Sequence, residues 1–482
     1  MAKPPPLRVL SVASEVFPLV KTGGLADVAG ALPAALAAEG VELRTLVPGY
    51  RAVMAALMRA VEVRAWPDWF GGPAQLLAGD AAGLSVFVLD APHLYDRPGG
   101  PYAGPDGVDW PDNAQRFAAL ARAAAAIGQG AVPGWLPSVV HAHDWQTGLT
   151  PAYFAPGARP GTVFTVHNLA FQGWFPPDLL GPLGLPPASF TVEGVEYFGG
   201  IGMLKSGLRL SDRITTVSPT YAAEIQTPAG GSGLDGLLRT RAPVLSGILN
   251  GIDRTEWDPA HDPHLAATYG PGRLRRRMRN KAALQALMGV AVDETALLCG
   301  VVSRLTDQKG MDLLLSGLPA LLAAGAQLVV LGTGDPVISS GLAAVAQSTP
   351  GRVSVMLRFD EAVAHQIHGG VDALLVPSRF EPCGLTQLCA LRYGVLPVVS
   401  RVGGLNDTVI DANDAALAAG VATGIQFAPA DQTGLDGAVR RMVHLWSMPK
   451  VWAELQKNGM RAEFGWEGPA RAYAALYREV AA

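Results

Sequence analysis

The chain has 482 residues, of which 49% are hydrophobic and only 16% charged, and its 37 basic and 41 acidic side chains give a net charge of −4. This composition excludes a disordered chain, provides core for roughly two to four domains, and shows no basic surplus for nucleic acid. Three cysteines fit a reducing cytosol, and no apolar run reaches the ~18 residues of a membrane helix. We therefore expect a cytoplasmic α/β protein that binds neither nucleic acid nor a membrane.

The first half of the chain alternates short apolar strands with helices. The first predicted strand, Arg8–Val12, leads through a loop with Gly23 and Gly24 into a helix from Asp27 to Glu39. A long helix is predicted at Ala114–Gln129. Further strands are predicted at Val41–Val47, Val86–Leu89, Val139–Ala142, Val163–Val166, Ile214–Val217 and Val244–Leu249. This alternation is typical of βαβ units that build a parallel sheet.

A second series of the same kind follows a polar boundary segment, Asn250–His264, which contains Asp-Pro breaks. Its strands are predicted at Leu297–Val302, Gln327–Leu331, Val353–Leu357, Ala373–Val376 and Leu396–Val399. Three helical segments finish the chain, the last at Pro469–Val480. We therefore predict two doubly wound α/β domains with a cleft between them, in which ligands bind beyond the carboxyl ends of strands.

Two loops of the second series carry groups suited to a diphosphate. Arg304 and Lys309 lie five residues apart before a helix and can converge on one diphosphate, although two solvated charges explain them as well. The backbone of Gly384–Thr386 can present N–H groups to phosphate at a helix start. Glu381 lies where a catalytic carboxylate is expected, and the alternative is a surface carboxylate on a turn.

Loops of the first series carry weaker signals. Lys21–Leu25 is neither GxGxxG nor GxxxxGK[ST], so it indicates no dehydrogenase or P-loop enzyme, and a plain glycine turn remains open. His143-Asp144 and His167-Asn168 end neighbouring strands, but no third residue has the spacing of a zinc ligand. The chain contains neither Gly-x-Ser-x-Gly nor Asp-x-Asp, which argues against a serine hydrolase and against a carboxylate pair for a metal.

Taken in order and spacing, these motifs resemble those of bacterial glycogen synthases, the group that includes plant starch synthases. Each motif is modest alone, and together they are specific and cover nearly the whole chain. They are Lys21–Val28 (KTGGLADV), His141–Trp145 (HAHDW), Phe164–Asn168 (FTVHN), Thr216–Tyr221 (TVSPTY), Asn250–Asp253 (NGID), Ser303–Gly310 (SRLTDQKG) and Pro377–Gln387 (PSRFEPCGLTQ).

The resemblance implies a GT-B fold of two Rossmann-like doubly wound domains facing a central cleft. Residues 1–250 would form the N-terminal domain, with the acceptor side and part of the donor site. Residues 251–460 would bind the nucleotide sugar, and residues 461–482 would form a helix crossing back to the first domain. The implied reaction moves glucose from ADP-glucose to the non-reducing end of an α-1,4-glucan such as glycogen, with retention of configuration and without a cofactor or metal.

The resemblance also assigns the site residues. The catalytic group would be Glu381, His167, Arg304, Lys309 and Asp144. The substrate-binding group would be Lys21, Gly23, Gly24, Asn250, Phe359, Cys383, Gly384, Leu385 and Thr386. The two cations would hold the diphosphate together with the helix start, and Lys21 with its glycines would line the donor site. His167, Asn250 and Glu381 would surround the transferred glucose, with Asp144 near the acceptor.

Three positions depart from the family pattern. Many retaining relatives carry a second glutamate eight positions after the first, and here that residue is Cys389, so only Glu381 is carried over. Phe359 replaces a tyrosine often found near the adenine, which keeps stacking but loses the hydroxyl. Asp307 lies between the two cations, where it either weakens phosphate affinity or points to solvent.

Other classes remain open at this point. One is another GT-B transferase that uses UDP-glucose or a different acceptor, and another is a glucan phosphorylase, for which no pyridoxal lysine motif stands out. The missing GxGxxG argues against a dinucleotide-dependent oxidoreductase. The intact Lys21, Arg304, Lys309 and Glu381 argue against a catalytically silent glucan-binding protein.

Overall fold

Residues 5–155, 157 and 159–481 are described by the structure, a computed structural model. They divide into two units: unit 1 combines Met1–Gly251 with Trp466–Ala482, and unit 2 is Ile252–Gly465. Among the described helices, none combines the length and the apolar composition needed to cross a bilayer.

Unit 1 is built on a large, mainly parallel sheet. Its strands are Leu7–Val12 (β1), Val41–Pro48 (β2), Met58–Trp66 (β3), Ala74–Ala81 (β4), Leu84–Asp90 (β5), Val139–His143 (β6), Gly161–Val166 (β7), Trp174–Phe175 (β8), Glu196–Tyr197 (β9), Gly200–Gly202 (β10), Arg213–Thr216 (β11) and Leu245–Gly247 (β12). The main sheet has the order β12-β11-β7-β6-β1-β2-β5-β4-β3, and β8, β10 and β9 form a small antiparallel sheet. The buried strands β1, β6 and β7 lie side by side in parallel, as their apolar sequences predict.

The helices of unit 1 flank this sheet. They are Gly24–Ala37 (α1), Arg51–Ala56 (α2), Pro92–Tyr95 (α3), Asn113–Gly128 (α4), Met203–Leu210 (α5), Pro219–Glu224 (α6) and Asp235–Thr240 (α7). Short 3₁₀ helices lie at Trp145–Thr147, Thr150–Tyr153, Pro177–Leu179, Pro187–Ser189 and Ala242–Val244. The first helix begins three residues earlier than predicted, directly at the glycine pair, and it continues through Pro33.

Unit 2 contains a fully parallel sheet. Its strands are Leu298–Val302 (β13), Gln327–Leu331 (β14), Val353–Met356 (β15), Ala373–Val376 (β16), Leu396–Ser400 (β17) and Ile425–Phe427 (β18), in the order β15-β14-β13-β16-β17-β18. Its helices are Arg277–Met288 (α8), Met311–Ala323 (α9), Pro336–Ser348 (α10), Glu361–Gly370 (α11), Thr386–Arg392 (α12), Gly403–Thr408 (α13), Asp414–Ala418 (α14), Gln432–Trp446 (α15) and Pro449–Arg461 (α16), with a 3₁₀ helix at Pro271–Arg276. Apolar side chains from these elements form the core on both faces of the sheet.

The last helix, Glu467–Ala481 (α17), packs in unit 1. Its buried Tyr473 and Tyr477 join a core with residues of β1, α1 and β7. The Tyr477 hydroxyl lies 2.7 Å from His141 Nδ1 in β6. This helix therefore supports the strand that leads into the HAHDW motif.

The sequence did not predict the antiparallel β3–β4 pair at one edge of the main sheet. Most residues of β3 are exposed, so the strand has none of the buried apolar run by which the parallel strands were found. It is held instead by pairing with β4, which itself pairs with β5.

Candidate active site

The candidate residues follow the carboxyl ends of neighbouring parallel strands in each unit. In unit 1, β1 leads to the glycine loop, β6 to Asp144 and β7 to His167. In unit 2, β13 leads to Arg304 and the adjacent β16 leads to Glu381. Because parallel strands end at the same edge of a sheet, each set converges in space.

Glu15 organises the glycine loop of unit 1, a role that the sequence analysis missed. Its buried carboxylate accepts hydrogen bonds from the Thr22 hydroxyl at 2.6 Å, from the Gly23 N–H at 3.3 Å, from the Thr22 N–H and from the Tyr102 hydroxyl. Ser14 Oγ lies 2.8 Å from the same tyrosine hydroxyl. The loop is therefore fixed by a carboxylate rather than left as a flexible turn.

Lys21 and the two glycines lie on the accessible side of this loop. Lys21 Nζ donates to Asp27 Oδ1 at 2.7 Å, and its side chain is 42% exposed. Gly23 is the residue before the first turn of α1, and its backbone is extended (φ −159°), so neither strain nor packing requires glycine there. A Cβ added at Gly23 or Gly24 would meet only open space. This leaves the N-terminal end of α1 open for close approach of an anion.

Asp144 and His167 are in contact at the ends of β6 and β7. Asp144 Oδ1 accepts a hydrogen bond from the His167 N–H at 2.7 Å. Burial raises the pKa of Asp144 to about 7 despite that hydrogen bond. The backbone of Asp144 has a φ of +56°, which residues other than glycine rarely adopt. Such backbone conformations cluster at functional sites. Burial at the ends of β6 and β7 therefore stabilises the protonated form of this carboxyl group.

Three buried histidines lie together at this point: His143 and His167 are hydrogen-bonded, and the His141 ring packs against His143 with the centroids 4.0 Å apart. His143 Nδ1 lies 3.0 Å from His167 Nε2, and His143 Nε2 lies 3.2 Å from Ser11 Oγ. His141 Nε2 lies 2.6 Å from Thr165 Oγ1. Burial lowers the pKa of both His141 and His167 to about 3 and the pKa of His143 well below its usual value. All three rings are therefore neutral near pH 7.

Asn250 lies three residues after β12, near the point where the chain passes from unit 1 to unit 2. Its side chain is 6% exposed, and Oδ1 is buried without a hydrogen-bond partner among the described residues. An unsatisfied buried acceptor is uncommon and indicates a group that a ligand can satisfy.

Unit 2 places Lys309 and Glu381 in direct contact. Lys309 Nζ donates to Glu381 Oε2 at 2.6 Å, and the Ser378 hydroxyl donates to the same oxygen at 3.0 Å. Gly310 makes this contact possible: its φ is +66°, and an added Cβ would lie 1.9 Å from the Pro377 carbonyl oxygen. The two loops therefore touch through a position where only glycine fits.

The two arginines of these loops differ in their surroundings. Arg379 makes two hydrogen bonds of 2.6 Å to the Asp312 carboxylate and one of 3.2 Å to Asp307 Oδ1. Asp307 is therefore paired with Arg379 rather than with either phosphate-binding candidate. Arg304 is exposed, so its guanidinium is accessible to a ligand.

The segment after Glu381 turns sharply into α12. Gly384 has a φ of +74°, Leu385 precedes the first turn without a side-chain cap, and Thr386 begins the helix. Because the first N–H groups of a helix have no intrahelical partner, this start can receive an anion. Cys383, just before the turn, is buried.

A glycine pair that the sequence analysis did not single out supports Glu381. The Gly404 N–H donates to the Glu381 carbonyl at 3.0 Å. A Cβ added at Gly403 (φ +41°) would lie 2.0 Å from that carbonyl oxygen. The signal available in the sequence was a Gly-Gly pair that follows a buried strand after two residues.

Two further loops of unit 2 contain Phe359 and the Gly332–Asp335 turn. Phe359 is 78% exposed and lies between β15 and α11. In the Gly332–Asp335 loop, Asp335 accepts hydrogen bonds from the N–H groups of Val337 and Ile338 and thereby caps α10. Added Cβ atoms at both glycines would collide with the Arg304 loop, so this loop is a packed turn.

Comparison with known proteins agrees with this architecture. Residues 8–240 match the model of the starch synthase catalytic domain, and residues 296–444 match that of glycosyl transferases group 1. The chain is 61% identical to a glycogen synthase of Rhodopseudomonas palustris (strain BisA53) over 99% of this chain and 98% of that protein. It is 60% identical to a glycogen synthase of Acidiphilium cryptum over 98% of this chain and 99% of that protein.

Solved structures give the same result. The catalytic domain of starch synthase IV from Arabidopsis thaliana, bound to ADP and acarbose, superposes with a TM-score of 0.88 at 31% identity, covering 99% of both chains. A sucrose-phosphate synthase from Thermosynechococcus elongatus, at 17% identity, shares the fold with a TM-score of 0.62 over 98% of this chain and 99% of that chain. The predicted GT-B fold and the predicted glycosyltransferase family are thus confirmed, and the chain belongs to the glycogen synthase family.

Proposed function

We propose that this glucosyltransferase takes glucose from ADP-glucose and adds it to the non-reducing end of an α-1,4-glucan, with retention of configuration and without a divalent metal at the diphosphate. The observation that carries the proposal is the 2.6 Å contact between Lys309 Nζ and Glu381 Oε2, and the loop of Lys309 also contains the exposed Arg304. A cation suited to a diphosphate and a carboxylate suited to a sugar are thus in contact, which supports the proposal.

The chemistry requires both groups at the bond that breaks. Cleaving a sugar–phosphate bond leaves positive charge on the sugar and adds negative charge to the departing diphosphate. Lys309, Arg304 and the helix start at Thr386 stabilise the diphosphate, and each well-placed donor contributes roughly 3–4 kcal/mol in such sites. Glu381 stabilises the sugar and orients its hydroxyl groups.

Three buried polar residues of unit 1, His167, Asp144 and Asn250, supply hydrogen bonds to sugar hydroxyls, whereas Lys21 supplies charge. His167 is neutral, Asp144 has a pKa of about 7, and Asn250 has a buried, unsatisfied oxygen. We assign His167 and Asn250 to the transferred glucose and Asp144 to the acceptor. Neutral groups suit this task because sugar hydroxyls are neutral and both donate and accept hydrogen bonds. Lys21, Gly23 and Gly24 are assigned to donor binding.

ADP as the leaving group is supported by the Arabidopsis starch synthase IV structure, which contains ADP. Transfer without a metal is supported by Asp307 and Asp335, the two acids near the proposed diphosphate loop, because both already have hydrogen-bond partners in the protein. Asp307 is paired with Arg379, and Asp335 caps α10. Adenine stacking by Phe359 stays a prediction. The division of acceptor and donor functions between the units and the cytoplasmic location suggested by the low cysteine content also stay predictions.

The test is incorporation of labelled glucose into glycogen. We expect label from ADP-glucose to enter polymer and to be released by an α-1,4-specific glucosidase, with Glu381→Gln as the inactive control. Faster incorporation from UDP-glucose would move the assignment to the alternative donor. No incorporation from either donor would contradict the proposed transfer.

A further inference from the structure

A second cluster of ligating side chains lies in unit 2 and uses none of the residues assigned to glucosyl transfer. It consists of Glu256, in the segment that follows Ile252, and of Glu361 and His365 in α11. Glu361 and His365 are four residues apart and therefore share one face of the helix. One ligand atom from each of the three residues lies within 4.8 Å of the other two.

His365 is held in an orientation typical of a metal ligand. Its Nδ1 lies 2.8 Å from Asp262 Oδ2 and 3.2 Å from the Tyr393 hydroxyl, which itself donates to Asp262 at 2.6 Å. Trp257 stacks on the ring, with the centroids 4.0 Å apart and an angle of 5°. A carboxylate on one imidazole nitrogen fixes the tautomer and leaves the other nitrogen as the ligand. Here that nitrogen is Nε2.

The cluster brings two carboxylates and one oriented imidazole together. Glu256 is half-buried, Glu361 is exposed and His365 is buried, so the cluster is open to solvent on the side of Glu361. Carboxylate oxygens and an imidazole nitrogen that a second carboxylate orients form a ligand set that binds a metal ion.

We propose that Glu256, Glu361 and His365 bind a divalent transition-metal ion of the Zn²⁺ type, through one oxygen of each carboxylate and Nε2 of His365. Zn²⁺ accepts such mixed nitrogen and oxygen ligands at about 2.0–2.2 Å, and three protein ligands leave a position for water. Glu361 is exposed and has the rotamer freedom to close the cluster to that size. Ca²⁺ and Mg²⁺ prefer six or more oxygen ligands and fit this set poorly.

The ion joins the segment around Glu256 to α11 and has no part in glucosyl transfer. Its effect is to stabilise unit 2, because an ion that binds only the folded protein raises the free energy of unfolding. The inference is independent of the proposed donor and acceptor, since its readouts are binding and stability.

The experiment uses the full chain, first stripped with a chelator and then titrated with Zn²⁺ by calorimetry. We expect one ion per chain, a higher Tm, and a Co²⁺ absorption band when Co²⁺ replaces Zn²⁺. Glu361→Gln should weaken binding at least about tenfold. This variant folds readily because the side chain is exposed, whereas changes at buried His365 risk the fold. Glu256→Gln provides the second carboxylate test.

The matched control is His261→Gln. His261 is also paired with an acid, Asp258 at 2.7 Å, but its side chain is 84% exposed and lies outside the cluster. Its loss should leave Zn²⁺ affinity unchanged. Binding weaker than about 1 mM, or equal affinity in Glu361→Gln and the parent protein, would overturn the inference.

Discussion

The two units end their parallel strands in opposite electrostatic states. In unit 1 the strand ends carry buried groups whose charged forms burial disfavours, with His167 at a pKa of about 3 and Asp144 at about 7. In unit 2 they carry formal charges, with Lys309 paired to Glu381 and Arg379 paired to Asp312. The same position in the same kind of sheet therefore holds two different chemistries.

This difference shows that ion pairing, rather than burial or topology alone, decides which chemistry a strand end supports, because Glu381 is as buried as Asp144 but contacts Lys309. Burial without an ion pair lowers the pKa of His141 and His167 to about 3 and raises the pKa of Asp144 to about 7. In unit 2 the cations lie near an acid or solvent. Sugar hydroxyls match the first environment and a diphosphate matches the second, and the following experiments test that division.

The largest effect is expected for Glu381→Gln. The change removes the negative charge that contacts Lys309 and Ser378 and that we propose stabilises the sugar. We expect kcat to fall by about 1000-fold while ADP binding, measured by calorimetry, is kept. Residual activity above about a tenth of the parent value would place Glu381 outside the catalytic group.

Lys309→Ala should lower kcat by about 100-fold or more, because the lost charge acts most strongly on the departing diphosphate. Lys457→Ala is the matched control, since Lys457 is another ion-paired lysine of unit 2 whose partner, Glu454, is on the same helix. The control should keep the parent kcat. An effect of Lys309→Ala on KM alone would contradict a role in the transition state.

Asp144→Asn tests the raised pKa of Asp144 through the pH dependence of the free energy of unfolding. Because the folded pKa of about 7 lies above the usual value of 3.8, Asp144 ionises first in the unfolded chain. Its contribution to stability is therefore complete below about pH 4 and is lost as the pH rises towards 7.

Relative to the parent, Asp144→Asn should gain about 2 kcal/mol in the free energy of unfolding between pH 4 and pH 7, against an upper bound of ~4 kcal/mol for the full shift. Denaturant unfolding at the two pH values measures this difference. A constant difference between the proteins would show that Asp144 ionises normally in the fold.

Lys21→Ala should raise the KM for the donor by about tenfold and change kcat little, because Lys21 is exposed and contributes charge to binding. Arg59→Ala removes another exposed, ion-paired cation of unit 1 and should leave the donor KM unchanged. If both variants have the parent KM, Lys21 is an ordinary surface lysine.

The smallest effect on transfer is expected from excess EDTA. In the proposed site the cations and the helix start of unit 2 balance the diphosphate, so we expect the rate to fall less than about twofold. A modest drop in Tm is expected from loss of the ion at Glu256, Glu361 and His365. Loss of more than about nine-tenths of the rate, restored by Mg²⁺ or Mn²⁺, would disprove metal-independent transfer.

The sequence predicted the elements whose burial shapes their composition. Strands β6, β7, β13 and β14 were found because a strand covered on both faces is a continuous apolar run. The exposed strand β3 lacks that signal and was missed. Helix α1 was expected to begin at Asp27 but begins at Gly24.

Contacts between distant segments could not be predicted. Glu15 holds the glycine loop with the help of Tyr102, which is 87 residues away along the chain. Asp307 was expected either to weaken phosphate affinity or to point to solvent; its side chain is 78% exposed and contacts Arg379, 72 residues away. The support of Glu381 by Gly403 and Gly404 depends on the packing of two separate loops.

By itself, the sequence determined the alternation of strands and helices, the loops that hold the polar residues, and the family, because local composition and motif spacing carry that information. Only the tertiary structure decided the charge state of Asp144 and His167, the pairing of Lys309 with Glu381, and the convergence of Glu256 with α11. The physical reason is that desolvation and ion pairing depend on distances in space between residues far apart in the chain.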